Sequence, residues 1–192
     1  MDAMPTEAEL SRLGYSRPWL DYGFLTPQQL REQLHIDDTD PEPDLDHYRA
    51  WTIDDWLDAR EHLTASELEG VLWLLENDGD LKGLIINGLL RDDGKFELTE
   101  DQVDRIGVVA AGLGRTSAVE RWRSRRRIRT EPWSEETLEL LLTGFPAWEQ
   151  SRLLIELDGL GVIPPDHLAI IAERGQSKRI RHEATQMLRR HA

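Results

Sequence analysis

The 192-residue chain contains no cysteine. That removes disulfides, thiolate nucleophiles and cysteine-ligated zinc together, and it is compatible with a reducing compartment. Lysine is scarce, 3 residues against 20 arginines. The cationic positions therefore suit planar, bidentate pairing, although a genomic bias produces the same imbalance. No stretch approaches the roughly 20 apolar residues that span a bilayer, and the first residues lack a basic segment followed by an apolar run. The expected location is the cytoplasm, with no membrane partner.

Catalytic signatures are also missing. There is no His-Glu-x-x-His pair and no phosphate-binding Gly-Lys-Ser/Thr loop, and Gly112-Leu113-Gly114 lacks the further glycine and the strand of a dinucleotide site. Asp93-Gly94-Lys95-Phe96 has the turn glycine of a calcium loop, with Glu100 at the last ligand position. Leu89 and Arg91 would then stand where oxygen ligands belong. Two local carboxylate–imidazole groups, Glu32 with His35 and Asp58 with Glu61 and His62, fall short of the four-helix set of a di-metal centre. No catalytic residue, cofactor or metal is assigned, and a non-enzymatic chain is expected.

What is present is a repeat. Thr64-Ala65-Ser66-Glu67-Leu68, Thr99-Glu100-Asp101-Gln102-Val103 and Ser134-Glu135-Glu136-Thr137-Leu138 open 35 and 35 residues apart. Pro164-Pro165-Asp166-His167-Leu168 follows 30 residues later, and Thr26-Pro27-Gln28-Gln29-Leu30 precedes the first by 38. Each opening places a hydroxyl or a proline before acidic or amide residues, which satisfies the free amides of a helix start. Apolar stripes follow at helical spacing: Leu68, Val71, Leu72 and Leu75; Val103, Ile106 and Ala110; Leu138, Leu141, Leu142 and Phe145.

Second helices are expected at 81–90, 116 to about 127, 146–160 and 177 to about 190. Their inner candidates are Leu81, Leu84, Ile85 and Leu89; Val119 and Trp122; Leu153, Leu154, Leu157 and Leu160; and Ile180, Ala184, Met187 and Leu188. One hairpin cannot hide such faces, whereas a neighbour stacked on it can. The reading is an all-α chain, a short α-solenoid of stacked helical hairpins with copies at 63–97, 98–132, 133–162 and 163–192. Its repeat length is similar to that of HEAT-like and tetratricopeptide arrays, without the tetratricopeptide consensus. An irregular helical bundle is the competing arrangement.

Residues 1–62 read as an atypical helical cap continuous with the array. Short helices are expected over 6–13 and 26–34, and Gly14 to Arg17 forms a break. An exposed acidic loop covers 37–46, where Pro41 and Pro43 stand among like charges. Helical pattern resumes at 45–51 and again from 52 or 53 to 62.

Net charge is -14, unevenly placed: residues 1–104 carry 26 acids against 8 bases, and residues 105–192 carry 11 against 15. An acidic, aromatic first half attracts a basic protein, with apolar anchors supplying affinity and carboxylates steering. The candidate protein-binding residues are Asp44, Asp46, Trp51, Asp54, Asp55, Trp56, Asp58 and Glu61, and an inhibitor or immunity-like role against a basic toxin or nuclease fits them. The alternative is a nucleic-acid-associated adaptor that binds phosphate through Arg121, Arg123, Arg125, Arg126, Arg127 and Arg129, with Trp122 stacking on a base if exposed. Pairing of these arginines with acids of adjacent repeats competes with that reading. A third reading is a structural subunit of an assembly, including a homo-oligomer.

Overall fold

A hydroxyl that accepts from the third residue onward, while that residue's side chain reaches back, recurs at the helix starts. In the computed structural model the reciprocal box closes at Thr6/Glu9, Thr64/Glu67, Thr99/Gln102 and Ser134/Thr137. Thr26 and Gln29 make the same exchange, the Thr26 amide donating to Gln29 Oε1 at 2.9 Å and the Gln29 amide to Thr26 Oγ1 at 3.2 Å. Each box satisfies amides that a helix start leaves free.

The structure describes residues 4–39, 45–91 and 95–191, with only the backbone of 45 and 46. Among these the chain is all-α, with twelve helices and no strand. They are α1 (Glu7–Arg12), α2 (Arg17–Asp21), α3 (Pro27–Thr39), α4 (Leu45–Asp58), α5 (Ala65–Asn77), α6 (Lys82–Leu89), α7 (Glu100–Gly112), α8 (Thr116–Thr130), α9 (Glu135–Thr143), α10 (Ala147–Gly159), α11 (Pro165–Arg174) and α12 (Lys178–His191). No helix among the described residues is long and apolar enough to cross a membrane.

Two compact units divide the chain, Met1–Val119 and Glu120–Ala192. The division falls within α8.

In the first unit α5 packs on α6 and α7, and α6 packs on α4 and α7. An aromatic cluster fills its amino-terminal end: Trp19 lies edge-on to Tyr15 (centroids 4.9 Å apart) and to Phe24 (6.0 Å), and Phe24 lies edge-on to Trp56 (4.8 Å). Gly70 lets α5 approach this cluster, because a Cβ there would fall 2.7 Å from the Tyr22 ring.

Helix α2 fills a stretch to which the sequence reading gave no element, and it is held by the burial of Trp19. Two expectations for this region are corrected. Helix α3 runs on through Asp37, Asp38 and Thr39. Acids at the carboxyl end of a helix oppose the dipole, but Arg12 of α1 reaches Asp37 at 2.6 Å and Asp38 at 2.5 Å; hydrogen bonds to Asp38 and Asp37 push its guanidinium pKa up. Of the rest of the expected acidic loop, 40–44 lie outside the described residues, and 45 and 46 belong to the first turn of α4. Helix α4 is continuous across 51–53, since Tyr48, Thr52, Ile53, Trp56 and Leu57 form one buried stripe.

In the second unit α9 packs on α10 and α11, and α12 packs on α10 and α11. Its core includes Leu138, Leu141, Leu154, Leu157, Leu168, Ile171, Ile180 and Met187. Each fully buried leucine of this kind contributes about 2 kcal/mol through removal from water. Leu160, expected inside, is 68% exposed; α10 ends at Gly159 and the backbone turns away at Gly161, whose φ of 67° favours glycine.

Within each unit, therefore, first helices meet first helices (α5 on α7, α9 on α11) and second helices meet second helices (α4 on α6, α10 on α12). This packing has the pattern of stacked hairpins. Ion pairs recur at the repeat spacing: Arg105 to Glu69 at 2.9 Å and Arg174 to Glu139 at 3.0 Å, each glutamate lying five residues after its cap. Arg190 to Asp158 at 2.9 Å joins α12 to α10 in the same manner.

Candidate protein-binding face on helix α4

The rotation of α4 is set by what its inner face must satisfy. Tyr15 donates its hydroxyl to Gln33 Oε1 at 2.8 Å and lies 2.9 Å from Thr52 Oγ1, to which Gln33 Nε2 also donates at 3.0 Å. Burial of this triangle pushes the Tyr15 phenol up to about 12. Trp56 donates its indole N–H to the Gly23 carbonyl at 2.8 Å, and the Arg60 guanidinium stacks 3.4 Å over its ring. Arg49 crosses to the α5–α6 turn, reaching Asp78 at 2.9 Å and Asp80 at 3.0 Å. Arg60 also binds Glu67 at 2.9 Å. Glu67 is held below the usual carboxylate range first by the Thr64 amide and then by Arg60.

These contacts turn His47, Trp51, Asp54, Asp55 and Asp58 outward. Their spacing places them along one side of a helix. Trp51 is 59% exposed and stacks on His47, the rings 5.1 Å apart and within 6° of parallel. Tyr48 supports Trp51 edge-on at 6.5 Å. The stack holds a large apolar surface in a fixed orientation, which lowers the entropy lost when a partner covers it.

The carboxylates beside it differ. Asp58 is bound to Arg91, and Lys95 Nζ donates to the Leu57 and Asp58 carbonyls at 3.0 and 2.9 Å. Those cations close the carboxyl end of α4, where carbonyls lack helical partners. Asp54 and Asp55 are exposed and make no ion pair among the described residues. Two adjacent free carboxylates beside an exposed indole can accept a guanidinium in bidentate fashion and steer a cationic surface.

Of the other sequence candidates on this side, Trp56 is buried and belongs to the aromatic core. It lies five residues beyond Trp51, roughly 140° around a helix, so one tryptophan faces inward when the other faces out. Glu61 is exposed just past the end of α4. Asp44 lies outside the described residues, and Asp46 is described only as backbone in the first turn of α4. Sequence reasoning missed His47; its four-residue spacing from Trp51 was the available signal.

The arginine run of α8 is placed differently from a phosphate-binding stripe. Trp122 is buried, which removes it as a platform for a base. Arg125 is buried and bound to Glu149 at 2.6 Å. Arg129 makes a fork with Glu156, both bonds 2.8 Å. Arg127 binds Glu131 at 3.2 Å, the main cause of its raised pKa, and lies 3.6 Å from Glu136. Arg126 sits over Trp122 at 5.4 Å, and Arg121 and Arg123 are half-buried. A run that alternates inward and outward pairs several of its own charges with carboxylates.

Among the described residues no three of His, Asp and Glu are grouped to hold a metal ion. Comparison of the chain with protein-family models, with curated proteins and with solved structures finds no match.

Proposed function

We propose that this chain is a non-enzymatic protein-binding module, a short α-solenoid of stacked helical hairpins with HEAT-like repeat length, whose α4 face engages a basic partner protein. The observation that carries the reading is the exposed, stacked Trp51–His47 pair beside Asp54 and Asp55. The strongly acidic balance of residues 1–104 supports it by adding long-range attraction. An immunity-like role fits the same chemistry, because carboxylates can occupy the phosphate-binding groove of a basic toxin or nuclease while an indole fills an adjoining apolar recess.

The test is capture of the partner from the host by the tagged full chain, followed by calorimetry on the purified pair at two salt concentrations. Trp51→Ala should weaken binding by 2 kcal/mol or more, about thirtyfold, as an aromatic anchor does. Asp54→Asn with Asp55→Asn should slow association and flatten its salt dependence. A captured partner that is acidic, or unchanged affinity in both variants with the fold intact by circular dichroism, sinks the reading.

A further inference from the structure

The second unit carries a surface of opposite chemistry. Helix α10 exposes Trp148 (59%) and Ile155 (51%), seven residues apart and so on one face of the helix. Exposed Arg152 stands between them. A cleft of about 400 Å³ opens beside these side chains, its far wall supplied by Ser177 and Arg179 around the start of α12.

The cleft's charges are not balanced internally. Glu183 takes Ser151 Oγ–H on one oxygen at 2.6 Å and Arg179 Nε–H on the other at 2.8 Å, so each of its oxygens already accepts a hydrogen bond. Arg152 makes no ion pair among the described residues, unlike Arg125, Arg127, Arg129, Arg174 and Arg190 of the same unit. An unneutralised guanidinium flanked by an exposed indole and an exposed aliphatic side chain is a site in which apolar cover and a carboxylate can arrive together.

We infer that this cleft docks an acidic amphipathic peptide segment of a partner protein. A carboxylate of the segment meets Arg152, and apolar side chains one helical turn to either side cover Trp148 and Ile155. Charge decides the occupant: the charged side chains that line the cleft are Arg152 and Arg179, both cationic, and Glu183, which binds Arg179, already accepts a hydrogen bond on each oxygen. A basic segment is repelled there. The inference does not rest on the α4 face, which takes a partner of the opposite sign.

The experiment selects binders from a displayed library of random 15-residue peptides on the immobilised full chain, then measures the enriched peptides by fluorescence anisotropy. Expected are sequences with Asp or Glu three or four residues from an aromatic or aliphatic residue. Their Kd should rise at least tenfold with Trp148→Ala and with Arg152→Glu, and by no more than a few-fold with Arg152→Lys. Because both positions are exposed the variants should fold; if Arg152→Glu does not by circular dichroism, Arg152→Gln takes its place. Absence of enrichment, enrichment of basic peptides, or affinities unmoved by the Trp148 and Arg152 variants would overturn the inference. So would concentration-dependent self-association in light scattering that Trp148→Ala abolishes, since the face would then belong to a second copy of the chain.

Discussion

Arg125 and Glu149 form an ion pair inside the second unit, Nη1 to Oε1 at 2.6 Å, with their side chains 4% and 1% exposed. Glu149 lies in the first turn of α10, where the dipole favours a negative charge, yet its Oε2 is buried without a hydrogen-bond partner. Such a pair loses much of its Coulomb attraction to desolvation, but removing one member strands the other. Arg125→Met should therefore destabilise the protein by about 3–5 kcal/mol in urea unfolding. The double variant Arg125→Met with Glu149→Leu should recover most of that loss. A single variant costing under 1 kcal/mol would show that water reaches the pair.

Gln150 and Gln176 close the carboxyl end of α9 from two directions. Gln150 Nε2 donates to the Leu141 and Leu142 carbonyls at 2.8 and 3.1 Å, and Gln176 Nε2 to the Leu142 and Phe145 carbonyls at 3.0 and 2.9 Å. The Gln176 amide donates in turn to Gln150 Oε1 at 3.1 Å. Gln150→Leu takes the side-chain donor from the Leu141 carbonyl and the acceptor from the Gln176 amide, while the Leu142 carbonyl keeps its bond from Gln176; the cost is about 1–3 kcal/mol for each group so stranded. Hydrogen exchange should show faster exchange of the Gln176 amide in that variant, while the amides of α4 stay as protected as before.

Helical close approach separates two glycine substitutions that look alike in sequence. A Cβ at Gly70 would lie 2.7 Å from the Tyr22 ring and 2.9 Å from Phe24, whereas one at Gly112, in the last turn of α7, meets nothing within 4 Å. Gly70→Ala should destabilise by about 1–3 kcal/mol through overpacking, partly offset by helix propensity. Gly112→Ala should stabilise by up to about 1 kcal/mol. Thermal melts of the two variants side by side read the difference in sign.

The helix starts were legible because their signal is local. A cap needs only a hydroxyl and a side chain three residues on, so Thr64, Thr99 and Ser134 announced α5, α7 and α9 without reference to the rest of the chain. Helix α2 has five residues and stands because Trp19 packs between Tyr15 and Phe24, which no local pattern states. The end of α3 read as an acidic loop because its neutralising Arg12 lies 26 residues away from Asp38. The candidate face was half legible: its acids and Trp51 stood out by composition, but the choice between Trp51 and Trp56 depends on which side of α4 the Tyr15–Gln33–Thr52 triangle occupies. The partners of Arg125 and Arg129, 24 and 27 residues distant, lay equally beyond a reading of α8 alone.

That triangle makes alkaline stability a direct probe of how α4 is seated. The Tyr15 phenol titrates at about 12 in the folded protein, against 10.0 in its ordinary state, chiefly because burial disfavours phenolate. The folded state thus holds this proton more tightly than the unfolded chain does. Its contribution is fully present below pH 10 and is lost as pH rises from about 10 through 12, amounting to about 2–3 kcal/mol at roughly 1.4 kcal/mol per unit. Tyr15→Phe removes the ionisation while Gln33 and Thr52 keep their mutual bond at 3.0 Å. The variant should be about 1 kcal/mol less stable than the parent at pH 8, the cost of one hydrogen-bonding hydroxyl. Across pH 10–12 it should show a shallower decline in urea stability, so that the two curves converge or cross. Parallel curves over that interval would mean that the phenol is not confined between α3 and α4, and the outward presentation of Trp51 would lose its physical basis.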